Sequence, residues 1–562
     1  MSDTQHPNLP CPEASTRSDV PEPAPPGAAA ARDGHADQDS PADTNDLTRR
    51  EFVSSAGTAA LGAIVGAGVP LILPSRAFAR GRAAPSGQVN LAIVGFGGMG
   101  SQNALALAQT DHIGAVCDVD FGFSERCLEA KMTDDQGRPR EGADKLREQF
   151  RKAGRYADFR ELLDKEKSIE GVVIATPDHA HAVIAKAAMQ LGKHVYVQKP
   201  LVATVHEARA LRSLALANPK LVTQMGNQGH SSEGARLINE WVAAGVIGPV
   251  REVHLWTNRP VVYWPQGLPR PTGIAAPTLA TRFGNPWTYR HVQDVLAAAM
   301  GSGGAPPAGL DWNLFLGPIA EDVPYHPIYH PFNWRGWTAF GCGALGDMGA
   351  HLMDHAYWAL GLTYPVSIEA TSTEWGTMTI PGPASDGPSS ERGGRKVSYP
   401  VSTCVHYQFP ARGAQPPVKV FWFDGGIYPP RPDALPDDVE LKSEGGGILL
   451  GDKGILVHET YGSNPRVYPE SLSAAAAAVP KSMPRIPWSH ETNWTKAIRG
   501  QATASSPLEY AAQLTECMLL GLVALRTGAG RKIAYDGESG SITNIPEANQ
   551  YLTREYRSGW SV

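Results

Sequence analysis

The sequence predicts an α/β protein of two domains, and three observations predict it. A strand, a glycine turn and a helix fill Val89–Gln109. A strand, turn, helix and second strand fill Ile169–Leu201. From Val250 onward, alternating and β-branched runs of strand character dominate. The 562 residues, 42% hydrophobic and 19% charged, suffice for two or three domains with a substantial core.

The first eighty residues read differently. Residues 1–46 are rich in Pro, Ala and Asp and poor in large apolar residues, so they cannot bury enough surface to offset their chain entropy. Residues 47–79 follow as an export segment. Thr48-Arg49-Arg50-Glu51-Phe52-Val53 resembles a twin-arginine signal, Ala59–Leu73 supplies an apolar run broken by glycines, and Ala77-Phe78-Ala79 offers a cleavage site. That run is too short and Gly-rich for a lasting membrane anchor, so the expectation is a cleaved signal, a periplasmic or otherwise exported protein, and no stable membrane span afterwards. Twin-arginine export moves folded proteins, often those that must take up a cofactor first. The formal net charge is −6, and residues 1–79 hold ten acids against five arginines, which leaves the remainder nearly neutral. That balance gives no electrostatic case for nucleic acid. The six cysteines form no C-x-x-C pair or zinc spacing and read as isolated core residues.

Each element of the first domain has a chemical reading. Gly95-Phe96-Gly97-Gly98-Met99-Gly100 is G-x-G-x-x-G in its required context, after a strand and opening a helix. Gly95 permits the tight turn, Gly97 lets the backbone approach a pyrophosphate, and Gly100 lets helix and strand pack closely. The next strand, His112–Asp120, brings Asp118 about twenty residues on, where a carboxylate binds both ribose hydroxyls and repels a 2′-phosphate. This favours NAD over NADP. Ile169–Leu201 is a βαβ unit of a parallel sheet. Thr176, Pro177, Asp178 and His179 leave its first strand at the carboxyl end, where ligands of open α/β sheets sit, and Gln198-Lys199-Pro200 leave the second at the same edge. By position alone Lys199 reads equally well as a nicotinamide neighbour or a solvated lysine. Of His179 and His181, one can line the pocket edge and the other cap a helix.

In the second domain, residues 250–258, 402–409 and 418–423 read as strands, and 446–459 as a hairpin around Gly451-Asp452-Lys453-Gly454. Residues 260–310 and 375–400 are rich in Gly, Pro and Ser and read as insertions or active-site loops. Leu508–Arg526 reads as a long apolar helix stopped at Gly528. The segment GALGDMGAHLMDHA, 343–356, places Asp347, His351 and Asp354 on one helical face with His355 at its edge. A metal site, an acid–base pair and a core network all fit that pattern.

The glycine turn 95–100, ATPDHAHA (175–182), GKHVYVQKPL (192–201), TQMGNQGH (223–230), GALGDMGAHLMD (343–354) and NWTKAIRGQ (493–501) together resemble the Gfo/Idh/MocA oxidoreductase family, in order and spacing. The resemblance implies a fold class of N-terminal Rossmann domain followed by an α/β domain with a large, mostly antiparallel open sheet. The expected division is an extension over 1–46, the signal over 47–79, an NAD-binding domain over 86–205, and a substrate and oligomerisation domain over 206–545. It implies a catalytic lysine, Lys199, and an Asp/His pair, Asp347 and His351. Cofactor contacts fall on Gly95, Phe96, Gly97, Gly98, Met99, Gly100, Asp118, Thr176, Pro177, His179, Gln198, Lys199 and Asn227. Trp334 and Arg335, just before the catalytic helix, suit a sugar.

The chemistry this implies is hydride transfer between a sugar, sugar derivative or polyol and a tightly held nicotinamide. His351 is the base, on the ground that an ordinary imidazole titrates near neutrality. Lys199 stabilises the developing alkoxide or relays the proton, and Asp347 orients substrate or imidazole. With a nicotinamide site implied, no metal is assigned, and Asp354 and His355 read as structural support. Gln198 departs from the family, which has glutamate there, and so removes a negative charge beside Lys199. An exported enzyme must retain and recycle its cofactor. Redox-neutral glycoside hydrolysis or elimination through transient sugar oxidation is therefore a second reading, and a non-catalytic carbohydrate-binding protein a third. The resemblance also implies a homo-dimer or homo-tetramer.

Overall fold

The computed structural model describes residues 87–275, 289–378 and 395–562. The extension and the twin-arginine segment lie outside the described residues, as does most of the second Gly/Pro/Ser-rich stretch.

The first sheet has six strands, β1 (Asn90–Val94), β2 (His112–Cys117), β3 (Gly154–Tyr156), β4 (Gly171–Ile174), β5 (His194–Val197) and β6 (Thr223–Met225). All neighbours are parallel, in the order β3-β2-β1-β4-β5-β6. Strand order reverses at β1/β4, so the carboxyl ends of those strands open a crevice, the general location of ligands in such sheets. Alternate side chains of β1 enter two different cores. Leu91 and Ile93 pack into one, Ala92 and Val94 into the other. A strand covered on both faces is apolar throughout, which is why it shows no polar alternation.

The sheet reaches further than the 86–205 span. Its sixth strand is 223–225, and the helix His490–Ile498 returns from far downstream to cover it. Trp494 of that helix is fully buried with Leu91 and Ile93, and a Cβ on Gly171 would sit 2.8 Å from its ring. Nothing local in the sequence of either segment announces this long-range packing.

Besides a two-stranded pair, β9 (Gly376–Met378) with β10 (Arg395–Ser398), the described residues form a second sheet of nine strands, β7 (Val250–Thr257), β8 (Ser367–Ser372), β11 (Thr403–Phe409), β12 (Val418–Phe423), β13 (Gly445–Gly451), β14 (Ile455–Glu459), β15 (Arg466–Tyr468), β16 (Lys532–Asp536) and β17 (Ser541–Ile542), in the order β15-β14-β13-β7-β12-β11-β8-β16-β17. All pairs are antiparallel except β7 with β12. β13 and β14 form the expected hairpin around Gly451–Gly454. β11 and β12 alternate, with Val405, Tyr407, Val420 and Trp422 buried and His406, Phe421 and Phe423 half-exposed. The buried face packs against two helices, Gly343–Ala359 and Leu508–Thr527. The latter is long and apolar enough to span a membrane by composition, yet almost every residue from Leu514 to Leu525 is buried inside the domain.

Two readings change in this domain. The stretch 260–310 is not loop throughout, since it holds the helix Tyr289–Met300. The chain also stays ordered past 545, where Pro546–Leu552 forms a 3-10 helix and Arg554 pairs with Glu207 at 2.5 Å. Cys117, Cys342 and Cys517 are buried free thiols, as expected, and Cys404 is half-buried. Cys127 is likewise buried in the core.

Candidate active site

The glycine turn has the geometry its spacing predicts. Gly95 has φ +83, and a Cβ there would lie 2.7 Å from the Ala175 carbonyl of the neighbouring strand exit. A Cβ on Gly100 would lie 1.8 Å from the Gly95 oxygen, so helix and turn touch only because both residues are glycine. The helix Gly98–Ala108 starts at Gly97 with no side-chain cap and no acid in its first turn. Its first N–H groups therefore face outward uncompensated, which suits a pyrophosphate. Asp118 stands beside them. Its two carboxylate oxygens accept from Phe96 N at 2.7 Å and Asp120 N at 2.9 Å, which locks the carboxylate against the turn. Burial raises its pKa, and those two N–H bonds oppose the rise. The remaining lone pairs suit ribose hydroxyls. These residues fit a dinucleotide.

Lys199 follows β5 and meets the helix Gly343–Ala359, which carries Asp347 and His351. Its Nζ donates to Asp347 Oδ1 at 2.9 Å and to the Asp347 carbonyl at 3.1 Å. Two glycines make this approach possible. Gly343 turns into the helix at φ +62, and a Cβ on Gly346 would sit 3.5 Å from the Pro200 ring and 2.2 Å from Cys342 Cβ. Arg335 adds a second cation to Asp347, with Nε 3.4 Å from the same oxygen. Burial alone would raise the Asp347 pKa, but Lys199, then Arg335 and Arg259, hold it well below the usual carboxylate range.

His351, one turn on, is buried with its Nδ1 unpartnered among the described residues. Burial, then the Lys199 charge, pushes its pKa well below the ordinary value. The imidazole is therefore held neutral, able to accept a proton but more weakly basic than its ordinary titration suggested. Tyr461 faces it edge-on at 4.7 Å between ring centroids, its hydroxyl pushed up to about 12 by burial and then by the Asp347 charge. Tyr461 has φ +65, a left-handed conformation that costs a bulky residue about 1–3 kcal/mol and clusters at functional sites.

Asp178 is a further acid of this site. It is buried and accepts from Cys342 N at 2.9 Å, at the start of the helix Gly343–Ala359. Burial pushes its pKa up to about 7, with Arg335 and Lys199 pulling down and Asp347 pushing up. The sequence offered only its place in the Thr176–His179 exit as a signal. Tyr461 and Arg259 carried none, since each comes from a distant loop outside every motif.

Three expected cofactor contacts and one expected substrate contact make contacts within the protein. His179 has both ring nitrogens against carbonyls, Phe340 at 3.1 Å and Phe315 at 2.8 Å, so it pins the segments before the helix Gly343–Ala359 and has no group left for a cofactor. Asn227 donates to Asp354 Oδ2 at 3.1 Å, while its own Oδ1 has no partner among the described residues. Gln198 is buried and donates to Asn103 Oδ1 at 2.9 Å, while Asn103 donates onward to Glu491 at 2.8 Å. Trp334 is buried in an aromatic core, and its ring lies 4.2 Å from the Arg335 guanidinium, so it holds Arg335 and offers no open sugar platform. His181 is likewise held between the Pro200 and Thr176 carbonyls, each at 2.9 Å. The Thr176 hydroxyl bonds the Pro177 carbonyl at 3.3 Å, and both residues remain half-buried at the crevice.

The fold and this site define a two-domain dinucleotide-binding protein with a lysine and an Asp/His pair brought together from the two halves. Residues 89–225 match the family model of the NAD-binding Rossmann fold of the Gfo/Idh/MocA oxidoreductases, and residues 279–379 match the model of their C-terminal α/β domain. The chain thus resembles the Gfo/Idh/MocA oxidoreductases over these two stretches, and its residues 89–225 form an NAD-binding Rossmann domain. It is 27% identical over 165 residues to inositol 2-dehydrogenase of Salmonella typhimurium, a match covering 29% of this chain and 44% of that protein. It is 28% identical over 217 residues to glycosyl hydrolase family 109 protein 1 of a Shewanella species, covering 36% of this chain and 44% of that one. The chain thus spans less than half the length of these curated relatives. Among solved structures, the WlbA dehydrogenase of Chromobacterium violaceum in complex with NADH and UDP-GlcNAcA is similar at 15% identity, covering 80% of this chain and 96% of that one, with a TM-score of 0.48.

Proposed function

We propose that this protein is an NAD-dependent oxidoreductase acting on a CH–OH group of a sugar, sugar derivative or polyol. The observation that carries this reading is the Lys199–Asp347 pair at 2.9 Å, formed between the β5 exit and the catalytic helix. When bound, the nicotinamide supplies the hydride acceptor. The chain's own residues supply the rest. Lys199 directs its ammonium at the substrate oxygen, where it stabilises negative charge as that oxygen loses its proton. Asp347, itself paired with Arg335, holds Lys199 in place. His351, kept neutral by burial, accepts the proton. Tyr461 closes the site above the imidazole.

Relatives named as inositol 2-dehydrogenase and levoglucosan dehydrogenase support a polyol or sugar substrate. The Shewanella relative named as a glycosyl hydrolase matches over a longer stretch, which supports a second reading, redox-neutral cleavage of a glycoside through transient oxidation. The twin-arginine segment at Thr48–Val53 favours that reading as well, because an exported enzyme recycles a retained cofactor. In this proposal the protein is periplasmic and pairs with copies of itself through the half-exposed face of the large sheet.

The test is absorbance of the purified protein near 340 nm. A rise that persists on adding an oxidisable sugar supports net oxidation. A transient rise with release of an aglycone supports the redox-neutral cycle. Failure of any nicotinamide to bind overturns both. Replacement of Arg49 and Arg50 by Lys, followed by cell fractionation, tests export: unchanged periplasmic protein removes that part of the proposal.

A further inference from the structure

A cavity of about 870 Å³ opens beside the candidate active site. None of Lys199, Asp347 and His351 lines it. Its walls come from the end of the helix Leu508–Thr527, the strand β10 (Arg395–Ser398) and the C-terminal segment. His179, Phe340 and Gly341 form the side that it shares with the approach to the catalytic helix.

The charges on its walls are unevenly compensated. Arg554 is engaged with Glu207, and Glu321 is engaged by both Arg270 and Arg395. That leaves Arg526 and Lys396. Arg526, half-buried, makes one long hydrogen bond, 3.4 Å to the Tyr399 hydroxyl, although a guanidinium carries five donors. Lys396 stands 4.7 Å over the Trp375 ring. Neither has a carboxylate within ion-pair distance among the described residues, and Glu555, the remaining acid of the wall, is exposed. A guanidinium with unengaged donors and an ammonium over an indole, in a cavity of the volume that holds small ligands, form a receptor for an anion with a flat or apolar body.

We propose that this cavity is a second binding site, for a small organic anion whose carboxylate or phosphate group sits between Arg526 and Lys396 and whose body lies along Trp375 and Tyr399. Occupancy also bears on the first site. Phe340 and Gly341 lead directly into Cys342, whose N–H bonds Asp178, so a ligand against this wall presses on the segment that starts the catalytic helix.

The test is isothermal titration calorimetry on the full chain, with and without NAD, using succinate, inorganic phosphate and the uncharged control succinamide. The expected result is binding of succinate or phosphate, but not succinamide, that persists in the presence of NAD and weakens at least tenfold in Lys396→Gln and Arg526→Gln. Arg526→Lys keeps the charge and recovers part of the affinity. Circular dichroism verifies that each variant is folded, and Lys396→Gln, at an exposed position, keeps the test valid if Arg526→Gln does not fold. The relative strength of succinate and phosphate distinguishes a carboxylate from a phosphate ligand. Binding of neither anion, equal binding of succinamide, loss of anion binding on adding NAD, or no change in Lys396→Gln each overturns the proposal.

Discussion

One helix carries two polar constellations, and they differ in kind. Near its start, Asp347 and His351 face Lys199 and Arg335 from other segments, and His351 Nδ1 has no partner among the described residues. Near its end, Asp354 accepts from His230 at 2.9 Å, Asn227 at 3.1 Å and the Tyr510 hydroxyl at 2.6 Å, while His230 stacks on Trp358 at 4.0 Å. The residue types are the same. The difference lies at the carboxylates, because His355 near the end also has both ring nitrogens unpartnered among the described residues. A carboxylate whose lone pairs are all engaged and whose surroundings are closed fixes a fold. An acid held between two cations, beside an imidazole with an unused nitrogen, is available for chemistry.

That contrast can be broken by substitution at either end. Lys199→Met should lower turnover about 10²–10⁴-fold, the scale of a lost acid–base group, with a smaller drop in melting temperature than Asp354→Ala, because Arg335 and Arg259 remain beside Asp347. Steady-state kinetics beside a thermal melt measures both. Asp354→Ala should show the reverse split. It leaves His230, Asn227 and Tyr510 facing a void, and the loss of a buried charged partner costs about 3–5 kcal/mol, read by urea denaturation. If Lys199→Met unfolds the protein, or Asp354→Ala leaves its stability intact, the division of the helix is wrong.

A smaller effect tests the Gln198 departure. Asn103 gives its N–H to Glu491 and so presents only its oxygen to residue 198, which must donate. Gln198→Glu sets two acceptors against each other and should cost about 1–3 kcal/mol. Adding Glu491→Gln lets Asn103 reverse and should restore most of it, so a double-mutant cycle with no coupling refutes the chain.

The smallest effect is one of pH. The folded pKa of Asp178 is pushed up to about 7 by burial, so the folded form holds this proton more tightly than the unfolded chain does. Its contribution to stability is fully present below the ordinary carboxylate range and is lost as pH rises through about 7. Asp178→Asn removes that dependence. The variant's melting temperature, relative to the parent, should rise across this window and level off above it. A constant difference would show that Asp178 is already ionised in the folded state.

Much of this was legible in the sequence, for a definite reason. The glycine turn, Asp118, the βαβ unit and the spacing Asp347–His351 are local patterns, and steric exclusion and helical pitch act over a few residues. Gly95 and Gly100 are fixed by collisions that a single Cβ would create. The family resemblance added the pairing of Lys199 with the helix. Tertiary structure alone decided what each polar group meets. It turned His179 into a pin between two carbonyls, buried Trp334 against Arg335, tied Asn227 to Asp354, and brought Tyr461, Asp178 and Arg259 to the site. It also lowered the His351 pKa by burying it beside a cation. Hydrogen-bond saturation and desolvation depend on residues hundreds of positions apart, and no local spacing encodes them.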